Sequence, residues 1–494
     1  MPKRIVEEVS AKSSKFLNQD ERSKRSNMKN IVKNISYSFL ANIFSSLTSA
    51  LLILFMPKMM SLEDYGIWQL FIFYFGYVGF LHLGWLDGIY LRYGNYDYDQ
   101  MDKDVFGGQF LLLTVLFLLE FLLIATIATS HQFASPYMSF VLFCVGLASV
   151  FVNLDCMNSY LLQVSNRIKK YSFNVFTQKF ITLVATISLL CLGCNTHRWI
   201  IPVTIFSYLV VAIIGFYFNK EVLSHFKFNF ASSLKEARVN ISVGSKLMFA
   251  NVASFLVLGI VRYGISMGWD VVTFGKVSLT LSISNFLMLF INAVSIVLFP
   301  TLKRIDTDRL KDIYVTLRNL LSIALLGLML AYYPLRFVLE LWLPKYSDAL
   351  VFMGCLFPIC IFESKMQMLI NNYLKVLRKE ALMLRINLAS VAFASLTTYI
   401  TVAVLHNLKL AVTAIVLNFA FRLVLAEHFM EKFANLNFRR ERFVELCMVA
   451  GYILANNFLP KIALLIYVTL YLAYLAFHKR ELTDIKSNLK TLLD

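Results

Sequence analysis

Leu111-Leu-Leu-Thr-Val-Leu-Phe-Leu-Leu-Glu120-Phe-Leu-Leu-Ile-Ala-Thr-Ile127 is a run of span length with one charge in it. It lacks the dyad alternation of an outer-membrane strand, and no even series of short turns surrounds it. A membrane crossing takes about 20 apolar residues as a helix, so the run reads as the centre of a transmembrane helix. Leu464 to Phe477 repeats the pattern near the other end of the chain. Composition extends the reading to the whole molecule. Of 494 residues 58% are hydrophobic and 16% charged, with a mean hydropathy of +0.66. A soluble domain is about a quarter charged and under half apolar.

Windows of span length predict fourteen helices, at 36–56, 65–89, 106–128, 137–162, 172–192, 200–218, 241–263, 272–299, 317–333, 349–374, 381–403, 408–427, 443–458 and 462–477. The expected fold class is an all-α integral membrane protein with about 14 transmembrane helices. Its organisation is a basic cytoplasmic tail at 1–34, a first lobe at 35–219, a cytoplasmic linker at 220–240, a second lobe at 241–430, and a trailing helix pair with a tail at 431–494. Residues 1–34 are polar and basic, unlike the short n-region of a signal peptide.

The net charge of +17 would suggest nucleic acid in a soluble protein. Its distribution gives another reading. With the amino terminus inside, 36 of the 47 Lys and Arg fall in cytoplasmic segments, Arg167, Lys169, Lys170 and Arg318 among them, and about seven in outer loops. This is the positive-inside asymmetry, and it places both termini in the cytoplasm. The five Trp are expected in interfacial aromatic belts, with Trp68 and Trp85 at opposite ends of one helix. Cys191-Leu-Gly-Cys194 has metal-like spacing but no second pair or His partner, so two small residues at a helix end is the preferred reading. No cofactor or metal is expected. No loop is long enough to be a catalytic domain, which argues against an enzyme.

The segment from Asn34 is echoed from Asn240: Asn34-Ile-Ser36 by Asn240-Ile-Ser242, Ala41-Asn42 by Ala250-Asn251, and Asn158-Ser-Tyr-Leu161 by Asn371-Asn-Tyr-Leu374. Internal symmetry of this kind is common in transporters. Six helices per repeat gives two lobes related by a pseudo-two-fold along the membrane normal, with a cavity between them.

Three stretches carry a family resemblance. Leu83-Gly-Trp-Leu-Asp87-Gly-Ile-Tyr-Leu-Arg92-Tyr-Gly94, Leu298-Phe-Pro300-Thr-Leu-Lys-Arg304, and Leu343-Pro-Lys-Tyr346 through Asn371-Asn-Tyr-Leu-Lys-Val-Leu-Arg-Lys379 resemble Wzx-type polysaccharide flippases. That group belongs to the superfamily of the lipid II flippases and the multidrug and toxic-compound extruders. An acidic partner often precedes the arginine at the end of the seventh helix, but here Val261-Arg262 lacks it. The resemblance implies flipping of an undecaprenyl-diphosphate-linked oligosaccharide (an O-antigen or capsule repeat unit) to the outer leaflet of a bacterial inner membrane. Polysaccharide polymerase and chain-length proteins would be its partners, alongside membrane lipids. A multidrug extruder of the same fold and a membrane-embedded polymerase or ligase are the alternatives.

Charged groups at membrane depth are costly and usually face a cavity or a partner. Lys179, Arg262, Lys365 and Arg92 are the candidates for contact with an anionic substrate. Lys179 could equally snorkel to the headgroups, Arg262 could anchor at the interface, and Arg92 could form an ion pair with Asp87. Asp155, Glu120 and Asp87 are candidates for coupling to a proton or sodium gradient, with hydrogen bonding inside the first lobe as the alternative. Arg422 and Glu427 read as members of an inter-helix pair, and Glu363 and Lys365 as residues with partners on other helices.

Overall fold

A computed structural model describes residues 36–94, 98, 101–130, 135–223, 230–286, 288, 291, 302, 307–377, 379–434 and 437–479. The described residues are helical nearly throughout. In chain order they form α1 (Ser36–Met59), α2 (Leu62–Val78), α3 (Trp85–Tyr93), α4 (Lys103–Thr129), α5 (Pro136–Val164), α6 (Ile168–Cys191) and α7 (His197–Leu223). Then come α8 (Phe230–Gly268), α9 (Val271–Phe286), α10 (Thr307–Leu328), α11 (Tyr332–Trp342), α12 (Ser347–Leu356) and α13 (Ile359–Val376). The last are α14 (Glu380–Thr398), α15 (Leu408–Ala434), α16 (Arg439–Phe458) and α17 (Ala463–Phe477).

Among the described residues nine helices are long and apolar enough to cross a membrane, α10 and α11 counting as one, and the pair α12–α13, bent by 47°, makes a tenth. The bend falls at Pro358, which can neither donate to the preceding turn nor fit beside it. The other four expected positions hold interrupted, short or charge-bearing helices: α2–α3, α9, α16 and α17. The chain is a multi-pass membrane protein. Residues 1–34, His131 and the Phe299-Pro300 motif with Lys303 and Arg304 lie outside the described residues.

Two expectations about helix limits change. The predicted single helix at 65–89 is broken. Its first piece ends at Gly79, and Leu83 and Gly84 take left-handed backbones with φ of 54° and 81°. The linker expected at 220–240 is mostly helical, since α7 runs to Leu223 and α8 starts at Phe230. Lys235 and Glu236 stand in the first turns of this 39-residue helix, which a window for apolar residues misses.

Of the tryptophans expected in interfacial belts, Trp199 is 59% exposed. Trp68 and Trp85 are buried in the protein instead. Indole is amphipathic, and the Trp85 N–H finds its acceptor inside, on Gln109 Oε1 at 2.9 Å.

Packing divides the helices into two groups. In the first, α5 lies against α2, α4 and α7, and α6 against α7. In the second, α8 packs on α14 and α15, and α12 on α9 and α15. The helices α16 and α17 pack together and against α10, and α16 also against α12. They are therefore fastened to the second group, more closely than an appended pair requires.

Candidate functional site between the bundles

Two seams join the groups, and both are made by glycine. At the outer seam α2 meets α9, where Gly66 and Gly275 touch and a Cβ on Gly66 would overlap the Val271 carbonyl. At the inner seam α3 crosses α8. A Cβ on Gly88 would collide with the Asn240 backbone, and Gly244 lies against the backbone of Gly84 and Gly88. Small residues allow such close approach of helix backbones in lipid.

The inner seam carries a polar tie as well. Arg92 Nη1 donates to Glu236 and to Asn240 Oδ1, both at 2.5 Å, and the Tyr93 hydroxyl donates to Glu236 at 2.6 Å. Asn240 Nδ2 donates in turn to Gln109 Oε1 at 2.6 Å, the atom that also accepts from Trp85. Charge-assisted bonds of this length are the strong class. Arg92 thus bridges to α8, and the expected Arg92–Asp87 pair is replaced. Asp87 faces His82 instead, with its carboxylate 3.9 Å from Nε2.

Beside the outer seam sits Arg262 on α8, next to Phe274, which precedes Gly275. Its guanidinium lies 5.0 Å from the ring centre of Phe73 on α2 and 5.3 Å from that of Phe274 on α9. Nη2 donates to Ser278 at 3.0 Å, while the buried Nε has no hydrogen-bond partner among the described residues. No carboxylate pairs with it among those residues. A guanidinium held between two aromatic faces keeps its charge, and this one retains donor capacity for an incoming anion. The site thus draws on both groups: Phe73 from the first, Arg262, Phe274 and Ser278 from the second.

Within the first group, Asp155 on α5 accepts from Asn174 Nδ2 on α6 at 2.6 Å, and that amide also reaches the Val211 carbonyl on α7 at 3.1 Å. Lys179, on α6, has no ion-pair partner among the described residues. Glu120 on α4 has a buried carboxylate oxygen without a partner there. The structure does not bring Lys179, Arg262, Lys365 and Arg92 to one point. Arg92 belongs to the inner seam, Arg262 lies next to the outer seam, Lys179 belongs to the first group and Lys365 to the second.

Lys365 is fully buried. Its ammonium lies 2.5 Å from Glu445 on α16 and 3.8 Å from Glu427 on α15. Arg318 on α10 completes a quartet, with Nε 3.1 Å from Glu427 and Nη2 3.3 Å from Glu445. The Ser322 hydroxyl also donates to Glu445 at 2.7 Å. Two cations and two anions balance, which makes their burial tolerable. Lys365 opens a π-helical stretch, Lys365–Asn371, a widened turn that distorts the backbone at the quartet.

A second link runs from Arg422 on α15 to Glu363 on α13 at 3.2 Å, Asn387 on α14 at 3.0 Å and Ser254 on α8 at 2.7 Å. Arg318 and Glu445 are missed by sequence reasoning: the positive-inside count assigns Arg318 to a cytoplasmic segment, yet it is 0% exposed. Its signal is its place inside α10, between buried Tyr314 and Ser322 one turn to either side.

No family model and no curated protein matches the chain. Solved structures do. The lipid II flippase MurJ in an inward closed conformation superposes with a TM-score of 0.61 at 13% identity, over 92% of this chain and 100% of that one. An inward-facing multidrug resistance MATE family transporter of the MOP superfamily gives 0.55 at 13% identity, over 84% and 95%. A MATE structure in the straight conformation gives 0.52 at 12% identity, over 82% and 96%. The chain therefore carries the fold that MurJ and the MATE transporters of the MOP superfamily share.

Proposed function

We propose that this chain is a transporter, not an enzyme, and that it moves an undecaprenyl-diphosphate-linked oligosaccharide repeat unit across a bacterial inner membrane by alternating access. In this reading both termini are cytoplasmic. The sugar and diphosphate pass between the two bundles while the polyprenyl tail stays in lipid. The observation that carries the reading is Arg262, a cation between two rings at the junction of the bundles with an unused donor. An anion crossing there would gain a charge-assisted bond that a cationic cargo would not. This favours an anionic, lipid-linked cargo over the small cations of an extruder. The fold shared with MurJ, itself described as a lipid II flippase, supports a lipid-linked substrate.

Lys179 and Arg92 would act as further phosphate contacts, and Asp155, Glu120 and Asp87 would couple transport to a proton or sodium gradient. Polymerase and chain-length proteins would take the product onward. The test is deletion in the host and complementation. Loss of the gene should leave lipid-linked repeat units on the inner leaflet and reduce surface polysaccharide, and Arg262→Ala should fail to restore export at normal protein level. Unchanged surface polysaccharide in the deletion strain would remove the proposal. Turnover of a lipid-linked sugar by the purified protein would instead favour a polymerase or ligase.

A further inference from the structure

The halves of α1 and α6 nearest Tyr37 and Lys169 enclose a groove of about 480 Å³. Its walls are apolar: Leu40, Phe44 and Leu47 from α1, Phe173 and Phe176 from α6, with the Phe44 and Phe176 rings meeting at 4.4 Å between centroids. One end differs. Lys169 lies there, exposed, with its ammonium 6.0 Å from the Tyr37 ring centre. One turn further along α6, Ser172 lines the groove while only 5% exposed, and its hydroxyl has no hydrogen-bond partner among the described residues. A buried hydroxyl without an acceptor is costly. Here it sits where the groove changes from charged to apolar.

We propose that this groove binds one glycerophospholipid of the inner leaflet with an anionic headgroup. One acyl chain lies along Leu40, Phe44, Leu47, Phe173 and Phe176. An ester or phosphate oxygen accepts from the Ser172 hydroxyl, and the Lys169 ammonium faces the phosphate. Three observations fix the occupant. The Lys169 ammonium at the mouth complements an anionic head better than a zwitterionic one. The orphan hydroxyl sits at the depth of the polar–apolar junction of a lipid. The groove follows α1 from Tyr37 to Leu47, about 15 Å at 1.5 Å per residue, half of a hydrocarbon core of about 30 Å. That is the reach of one chain in one leaflet, far short of a long polyprenyl. The stretch of this chain before α1 is itself rich in Lys and Arg, and its like charge disfavours it as the filling. The proposal stands whatever the transported cargo is.

The experiment is a titration of the purified full-length protein, in zwitterionic detergent, with phosphatidylglycerol and with phosphatidylcholine, read by native mass spectrometry. One phosphatidylglycerol should be retained per protein and phosphatidylcholine lost. Lys169→Ala should weaken retention about fivefold. Leu47→Trp, which fills the groove, should abolish it while leaving the melting temperature in lipid-free detergent unchanged. If Leu47→Trp melts early, Ser172→Ala replaces it and should weaken retention without loss of folding. Equal retention of the two lipids, or unchanged binding by the variants, overturns the proposal. So does displacement of phosphatidylglycerol by equimolar undecaprenyl phosphate, which would make the groove a polyprenyl site.

Discussion

In the first bundle the contacts between helices rest mainly on amides and hydroxyls, with Asp155 accepting from Asn174 and Asp64 facing His197 as the carboxylates among them. Asn158 and Asn219 bond each other at 3.1 Å, Gln178 and Thr182 share the Ser207 hydroxyl at 3.1 and 2.9 Å, and Asn153 donates to the Val78 carbonyl at 3.1 Å. The second bundle has neutral bonds of this kind, such as Asn387 to the Ala250 carbonyl and Tyr467 to the Leu326 carbonyl, and adds full charges paired with each other: the quartet of Arg318, Lys365, Glu427 and Glu445, and Arg422 with Glu363. Neutral interhelical bonds in lipid average about 0.6 kcal/mol and can be exchanged among neighbours. A buried charge left alone costs several times that. The first bundle is therefore the adaptable one, and the second is held in one arrangement from α10 through α16. The cations with spare capacity follow the same division: Lys179 lies in the first bundle and Arg262 at the seam, while Lys365 and Arg422 are fully engaged.

The largest effect should come from unbalancing the quartet. Glu445→Gln leaves a buried cation short of its partner, at about 3–5 kcal/mol, and should show as a large drop in folded yield and melting temperature in detergent. Replacing all four charges by Met and Leu should recover most of that loss, because a balanced quartet and an apolar core of similar volume are near equivalent. If the single variant melts like the wild type, the second bundle is not fixed by charge. A smaller effect is expected at the inner seam. Gly88→Val puts a side chain where the Asn240 backbone lies and should cost about 1–3 kcal/mol. It should also raise the reactivity of a cysteine placed at Asn240 toward a water-soluble maleimide. The smallest effect belongs to the first bundle. Asn158→Ala should lower stability by about 1 kcal/mol or less, and a drop as large as that of Glu445→Gln would erase the contrast between the bundles.

Span positions were legible because about 20 apolar residues in a row have one meaning in a membrane. The depth of Lys365 and the carboxylate-free setting of Arg262 could also be read, since a charge amid Leu and Phe needs an explanation. Partners could not. Lys365 meets Glu445 from 80 residues away and Arg318 meets Glu427 from 109, and no local periodicity encodes such distances. The break in the second helix was half visible. Gly79 and Gly84 suggest bending as readily as close packing, and only the positive φ at Leu83 and Gly84 separates the two. Interfacial tryptophan is a statistical tendency, and Trp68 and Trp85 lie outside it because protein covers them.

That break has a mechanical meaning. The outer seam rides on α2 through Gly66, and the inner seam rides on α3 through Gly84 and Gly88. Between them the chain turns through Gly79 to Gly84, where the Val78 carbonyl accepts from the Leu81 N–H at 3.2 Å and from the Asn153 side chain at 3.1 Å. An unbroken rod would act as a see-saw, so that any tilt loosening one end would press the other. Two levers joined by a short articulated link have no such obligation. In the transport cycle proposed above, each seam would open on its own stroke, with a stage between in which both are shut.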